Sequence, residues 1–237
     1  MKNKIVKYSA KSSQKFLMKR IAAQKGNGFI KVGTFTDEIV WGNYSYIFSR
    51  LDAKKQKDFK RGMFLFGMVR KDAKKFLKEN KDFKLPKKYS QIEYRGTLDE
   101  NLLGKITGTD LNHAYWRIAY NKGIISGNTY LKGLDDKFKA VRLAALSTMG
   151  ANKKYKIIKN GEITDDLKVI VGDAELQKVY MLIRYTCYRF MNQVKKKLGK
   201  DFLCYKTDCI YYIDTKLNRQ KVNDFFKEKQ LLSKQLE

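Results

Sequence analysis

The sequence predicts an α+β fold: an antiparallel sheet with packed helices, preceded by a basic N-terminal region that mixes helices and strands. Two patterns carry this prediction. Apolar residues recur at helical spacing in several segments, most clearly after Asp173. Short runs of β-branched and aromatic residues lie between turn residues, most clearly from Phe29 to Phe48. The 237 residues and their hydrophobic share of 43% are sufficient for a sizeable core.

The first hundred residues alternate between the two patterns. Ser12 or Ser13 can cap a basic amphipathic helix that continues to about Gln24. Strands are expected within residues 29–48, with turns at Gly33, at Asp37 and at Gly42-Asn43. A Lys-rich helix is expected from Asp52, its cap, towards Asn80, with an interruption at Gly62 or Gly67.

The second half predicts a regular succession of elements. The longest is a helix capped by Asp173 and ended by Gly199. The other expected elements are a strand at residues 102–110, a helix at 113–122 ended by Gly123, a helix at 135–149, a hairpin of strands 202–205 and 209–213, and a final helix at 220–234.

The organisation of the chain is expected to be two regions without a clear linker, since the sequence holds one proline and no Gly/Ser-rich tract. Residues 1–98 form the basic region, for which nucleic-acid binding is the expected role. Residues 99–237 carry the segments in which chemistry can be placed.

The charge of the chain is its most unusual property: 51 Lys and Arg face 24 Asp and Glu, a formal net charge of +27. A polyanion would screen this self-repulsion, and nucleic acid is the commonest such partner. The alternative is a solubilising lysine coat, or a genome rich in A and T that favours lysine codons. Composition leaves both interpretations open.

Cysteine, histidine and apolar content exclude several classes of function. The cysteines Cys187, Cys204 and Cys209 do not form a Cys-x-x-Cys motif, and His113 is the only histidine. A structural zinc site is therefore not expected. No apolar run approaches the roughly 20 residues that span a bilayer. We therefore expect a protein of the cytoplasm, without a membrane partner.

Three segments could together carry nucleotide transfer. That reaction uses two metal ions about 3.5–4 Å apart, held by carboxylates on adjacent rigid strands. The first segment, Asp110-Leu-Asn-His-Ala-Tyr115, ends a predicted strand; the second, residues 142–150 (RLAALSTMG), ends a predicted helix; the third, residues 205–210 (YKTDCI), spans the predicted hairpin tip. Each has an ordinary structural explanation: a helix-capping Asp before core aromatics, a helix ended by glycine, and a turn Asp.

In order and spacing, the three segments resemble the palm motifs of family B DNA polymerases. Their residues are most similar to those of the phage and organelle-plasmid type. That family has Asp, two residues, then Ser-Leu-Tyr; Lys, three residues, Asn-Ser, one residue, Tyr-Gly; and Tyr-x-Asp-Thr-Asp-Ser. The resemblance covers residues 100–215 and implies a palm-like nucleotidyltransferase domain at 99–237.

The resemblance also implies roles for individual residues. Asp110 and Asp208 would be the catalytic metal ligands for Mg²⁺ or Mn²⁺, with the Leu111 carbonyl as an additional ligand. Arg142, and Lys139 one turn earlier, would hold the triphosphate, for which a guanidinium is chemically suited. Tyr115 would lie against the sugar. Ser147 and Gly150 match the remaining positions of the second motif and would belong to the nucleotide site.

The departures from the family pattern are specific. Ala114 and His113 replace Leu and Ser in the first motif, and Leu146 and Met149 replace Asn and Tyr in the second. The third motif is one residue shorter, lacks the family's first Asp and has Cys209 in place of Ser. The segments between and after the motifs are also too short for full fingers or a thumb, and no exonuclease motif is found in residues 1–100.

Three functional hypotheses follow. The leading one is a minimal family B-like DNA polymerase or primer-making nucleotidyltransferase that uses two-metal catalysis, with single-stranded or primer–template DNA and dNTPs as partners. The second is a catalytically inactive palm-derived protein that binds nucleic acid, packaged in a virion. The third is a subunit completed by other replication or virion proteins. Retention of both aspartates favours catalysis, whereas the substituted second motif favours an inactive binder.

Overall fold

The computed structural model describes residues 5–9, 12–33, 36–96 and 105–236. The chain divides into two compact units, residues 1–63 with 150–173 and residues 64–149 with 174–237. This division differs from the boundary predicted at residues 98 and 99. There are two reasons. A hairpin formed within 150–173 pairs with a strand near the N-terminus and belongs to the first unit. The helix at 64–79 packs against helices of the second unit and belongs to that unit.

The helices and strands are named in chain order. They are β1 (Ile5–Ser9), α1 (Ser12–Ala23), β2 (Gly28–Val32), β3 (Thr36–Trp41), β4 (Tyr44–Ser49), α2 (Ala53–Arg61), α3 (Phe64–Glu79), β5 (Ile92–Tyr94), β6 (Ile106–Asn112), α4 (Ala114–Asn121), α5 (Gly127–Gly133), α6 (Lys139–Ser147), β7 (Lys153–Lys159), β8 (Glu162–Ile170), α7 (Ala174–Leu198), β9 (Phe202–Lys206), β10 (Cys209–Ile213), α8 (Lys216–Glu228) and β11 (Leu232–Leu236).

The first unit is built on a six-stranded sheet in the order β1-β4-β3-β2-β7-β8. Its strands pair antiparallel except β1 and β4, which are parallel. Alternate residues of β2, β3 and β4 face a core shared with α1; this core contains Leu17, Ile21, Ile30, Ile39, Phe48 and Ile158. The strands expected within residues 29–48 from their β-branched and aromatic residues are thus confirmed as β2, β3 and β4.

Turn and cap residues of the first unit match the prediction at most positions. Gly42, with a φ of +56°, begins the turn between β3 and β4. The Asp52 carboxylate accepts a hydrogen bond from the Lys55 amide at 2.8 Å and so caps α2, which ends at Gly62. Asp37 was predicted to lie in a turn, and this is wrong. It is a buried residue of β3, where Arg50 neutralises it at 2.7 Å.

The second unit is built on a five-stranded antiparallel sheet in the order β11-β6-β10-β9-β5. The mixed, largely antiparallel architecture confirms the α+β class. The long helix α7 packs against β9 and β10 and against α3, α4 and α8. Its apolar stripe, from Leu176 to Leu198, is buried as its 3.6-residue period predicts. Gly199, with a φ of +57°, follows its last turn.

Three segments of the second half differ from the prediction. The helix expected at 220–234 ends at Glu228, and residues 232–236 form β11 on the edge of the sheet. The helix expected at 135–149 is α6 preceded by a 3-10 turn, and α5 lies before it. The hairpin β7–β8 was not predicted. Short amphipathic segments fit either period, so tertiary pairing decides their conformation.

Candidate functional site

The two aspartates of the first and third motifs are neighbours. Asp110 lies near the end of β6, and Asp208 lies in the two-residue turn between β9 and β10. Strand β10 pairs antiparallel with β6 so that Cys209 is opposite Asp110. The Leu111 amide donates to the Asp208 carbonyl at 3.0 Å, which fixes the two segments side by side. Asp110 and Asp208 thus lie on adjacent, hydrogen-bonded segments, as two carboxylates that share metal ions must.

The turn that carries Asp208 is held by contacts from two other elements. Thr207 has a φ of +61°, in the left-handed region. Its amide donates to the Gln91 carbonyl at 2.8 Å, and the Gln91 side-chain amide donates to its hydroxyl at 3.1 Å. The Cys187 thiol of α7 donates to its carbonyl at 3.6 Å. These contacts compensate for an unfavourable backbone conformation and limit the positions available to Asp208.

The pKa of Asp208 reflects its burial and the proximity of the Asp110 carboxylate. Burial, and then the nearby Asp110 carboxylate, raises the pKa of Asp208 to about 6. Both effects disfavour a second negative charge in a confined site. A divalent cation between the carboxylates would remove that penalty.

The aspartates open onto a cavity of about 420 Å³ in the second unit. Its walls come from the end of β6, the start of α4, one face of α6, the β9–β10 turn and β11. The lining residues are Asp110, Leu111, Asn112, His113, Ala114, Tyr115, Trp116, Lys139, Arg142, Leu143, Leu146, Thr207, Asp208 and Lys234. Six of the eight predicted site residues therefore meet at one cavity.

The passage from β6 into α4 places Tyr115 over this cavity. His113 adopts a φ of +57° as the cap of α4, so the chain turns sharply after Asn112. The Tyr115 hydroxyl lies 3.1 Å from the Tyr188 hydroxyl. The Tyr188 hydroxyl in turn accepts a hydrogen bond from the Arg184 guanidinium at 3.1 Å. Burial raises the pKa of Tyr115, with smaller effects from Cys187 and Tyr188. The phenol is thus a fixed, neutral wall of the cavity.

Arg142 is present at the cavity but is already engaged. Arg142 is only 2% exposed, and one of its terminal guanidinium nitrogens donates a hydrogen bond to the Gly133 carbonyl. The other lies 2.8 Å from His113 Nδ1. Burial and the adjacent Arg142 lower the pKa of His113, which keeps the imidazole neutral and able to accept this bond. The guanidinium therefore ties α6 to the start of α4 and the end of α5.

Two lysines supply the accessible positive charge. Lys139 is exposed at the first turn of α6 and lines the cavity. Lys234 of β11 also lines it, and its ammonium lies 3.8 Å from an Asp110 carboxylate oxygen. Lys139 was predicted, whereas Lys234 was not, because its segment was assigned to a helix. The sequence carries no local signal that its strand pairs with β6.

Ser147 and Gly150 are not among the described residues that line the cavity. The Ser147 hydroxyl is exposed in the last turn of α6 and donates to the Ala144 carbonyl at 3.2 Å. Gly150 is a buried residue with a φ of +65° and belongs to the first unit. The structure therefore does not bring these two residues of the second motif to the aspartates.

The donor set fits a small, hard cation. In the described part of the chain, no cluster of three or more His, Cys, Asp and Glu side chains is placed to hold a metal. Magnesium, however, keeps several waters and commonly uses one or two carboxylates together with substrate phosphates. Asp110, Asp208 and backbone carbonyls match that requirement, and they do not match a four-ligand zinc centre.

No protein-family model matches the sequence, and neither a curated protein nor a solved structure matches it. The resemblance to family B polymerases therefore rests on the three motifs and their order. Within the described residues, no helix is both long enough and apolar enough to cross a bilayer.

Proposed function

We propose that this protein is a metal-dependent nucleotidyltransferase acting on nucleic acid, a minimal counterpart of a family B DNA polymerase. The observation that carries the proposal is the placement of Asp110 and Asp208 on paired segments at one open cavity. Bound Mg²⁺ or Mn²⁺ would polarise the attacking hydroxyl and stabilise charge on the leaving phosphates.

The residues of the chain have separable roles in this proposal. Asp110 and Asp208 hold the metal, and the hydrogen bonds around Thr207 fix where Asp208 lies. Lys139, which is exposed, contacts the triphosphate. Arg142 keeps α6 in position, since its donors are bonded to Gly133 and His113. Tyr115 packs against the sugar.

The test is incorporation of labelled dNTPs and NTPs on primed and unprimed single strands with Mg²⁺ or Mn²⁺. We expect Asp110→Asn and Asp208→Asn each to abolish incorporation and to leave nucleic-acid affinity unchanged or slightly higher. Asp214→Asn, at a partly exposed Asp paired with Arg219, is the matched control and should remain active. Activity that survives EDTA, or persists in both aspartate variants, would contradict the proposal.

A second candidate is a palm-derived protein that binds nucleic acid without catalysis. The engagement of Arg142 in the fold and the ion pair between Lys234 and Asp110 favour it, because both reduce what the cavity offers a triphosphate. Wild-type protein that binds DNA but incorporates nothing with any metal and nucleotide would support this candidate.

A further inference from the structure

Lys234 lies opposite a proposed metal ligand in a position that the sheet itself fixes. Strand β11 pairs antiparallel with β6, with Lys234 opposite Asp110. On either side, Leu232 pairs with Asn112 and Leu236 with Gly108. Residues directly opposite in an antiparallel pair project to the same face of the sheet. The lysine is therefore directed to the carboxylate by backbone pairing.

The end of β11 is held by further hydrogen bonds, which keep this register. The Thr107 hydroxyl donates to the Leu236 carbonyl at 3.1 Å, and the Gln235 side chain contacts Thr107 and Thr109. A slip by one residue would break these bonds and turn Lys234 to the other face. Lys234 therefore stays on the same face of the sheet as Asp110 for as long as β11 is paired.

The ammonium lies close to the position that a metal on Asp110 would take. It is 3.8 Å from one Asp110 carboxylate oxygen, and both side chains line the cavity that holds Asp208. A positive charge within a few ångströms of a divalent ion opposes its binding, and it also neutralises part of the charge that attracts the ion. An exposed cross-strand ion pair would contribute little to stability by itself.

We propose that Lys234 is a resident cation of the site, which shares the Asp110 carboxylate with the divalent ion and lowers the affinity for that ion in the absence of nucleotide. This inference rests on the proposed function, because it assumes that Asp110 and Asp208 bind metal. It assigns to the C-terminal strand a role in metal affinity that none of the three motifs provides.

The experiment is a charge series at one position. Mn²⁺ binding to the nucleotide-free protein is measured by the loss of the electron paramagnetic resonance signal of free Mn²⁺, for wild type, Lys234→Met and Lys234→Glu. We expect affinity to rise at each step, by roughly tenfold for the loss of the positive charge and further for the added carboxylate. The melting temperature of each variant, with and without Mn²⁺, checks that the fold is kept.

Lys227 provides the matched control, since it is exposed on α8 and does not line the cavity. Lys227→Met and Lys227→Glu change the net charge equally and should leave Mn²⁺ affinity nearly unchanged. Equal affinities across the Lys234 series, or equal gains in both series, would overturn the role of Lys234. If neither the wild type nor the two Lys234 variants bind Mn²⁺, or if their binding persists in Asp110→Asn and Asp208→Asn, the proposed metal site is overturned as well.

Discussion

At the scale of single residues, the burial of the Asp208 carboxylate beside Asp110 lowers the stability of the fold. Its folded-state pKa of about 6 lies above the ordinary 3.8 because burial and Asp110 disfavour its charge. The folded protein therefore binds more protons than the unfolded chain between these values, and stability falls as pH rises from about 4 to about 6. Above that range the full cost is present, and a bound metal would offset it.

This cost predicts that Asp208→Asn stabilises the metal-free protein. At pH 7.5 we expect a gain of about 1–3 kcal/mol, which shrinks towards pH 4 as the wild-type carboxyl protonates. Thermal unfolding in EDTA at several pH values measures it. Asp214→Asn should have the opposite sign, since Arg219 lowers the pKa of Asp214 in the folded protein. A variant that melts earlier than wild type at pH 7.5 would contradict the prediction.

Substitution of Tyr115 tests whether this residue recognises the sugar of the nucleotide. Its ring lines the cavity, so Tyr115→Ala should raise the ribonucleotide-to-deoxyribonucleotide ratio of kcat/KM, by about tenfold for each 1.4 kcal/mol of relieved clash. Tyr115→Phe is the control, because it removes only the hydroxyl that lies 3.1 Å from Tyr188 and keeps the ring. If Tyr115→Ala has a lower melting temperature but the same preference between ribonucleotides and deoxyribonucleotides as wild type, Tyr115 acts only as a core residue.

At the scale of elements, α6 carries two cations with different surroundings. Lys139 is exposed at its first turn, whereas Arg142 is buried and bonded to Gly133 and His113. Helical spacing placed both on the correct element. It could not tell that the His113 imidazole and the Gly133 carbonyl would occupy the guanidinium.

The two cations should therefore respond differently to substitution. Arg142→Ala leaves buried acceptors unpaired and should cost about 2–4 kcal/mol of stability. Lys139→Ala should leave the melting temperature nearly unchanged and raise KM for the triphosphate, roughly tenfold. Melting curves and steady-state kinetics on both variants separate the roles. An Arg142→Ala protein of normal stability with a raised KM would restore Arg142 as the triphosphate ligand.

At the scale of the whole molecule, the net charge of +27 is the dominant property. The lysines of α2 and α3 are exposed. In the first unit, Trp41 and Tyr46 are partly buried and pack against the core. If the protein binds nucleic acid, its exposed positive charge offers a more general basis for that binding than base stacking does.

If this charge binds nucleic acid, affinity for single-stranded DNA should fall steeply with salt. The log–log slope should be near −0.7 for each phosphate contacted, with little dependence on base sequence. Fluorescence anisotropy between about 50 and 200 mM salt measures the slope. A peptide nucleic acid of the same bases, which lacks phosphates, is the control and should not bind. A slope near zero would favour the lysine coat as a solubilising feature.

Local features of the sequence determined much of this protein. The three strands β2 to β4, the break after α2 at Gly62, and the whole of α7 follow from periodicity and cap residues. The hairpin that carries Asp208 follows as well, since its turn residues lie between two apolar runs. These features depend on neighbours within a few residues, where side-chain spacing and backbone preference act directly.

Tertiary structure decided what depends on partners distant in the sequence. The β7–β8 hairpin joins β2, and β11 joins β6 beside Asp110. The burial of Arg142 requires His113 and Gly133 from two other elements. Short amphipathic segments fit a helix or an edge strand equally, and strand pairing with a distant segment selects one. The sequence therefore singled out Asp110 and Asp208 as candidate metal ligands, whereas only the folded chain shows that Lys234 lies beside Asp110.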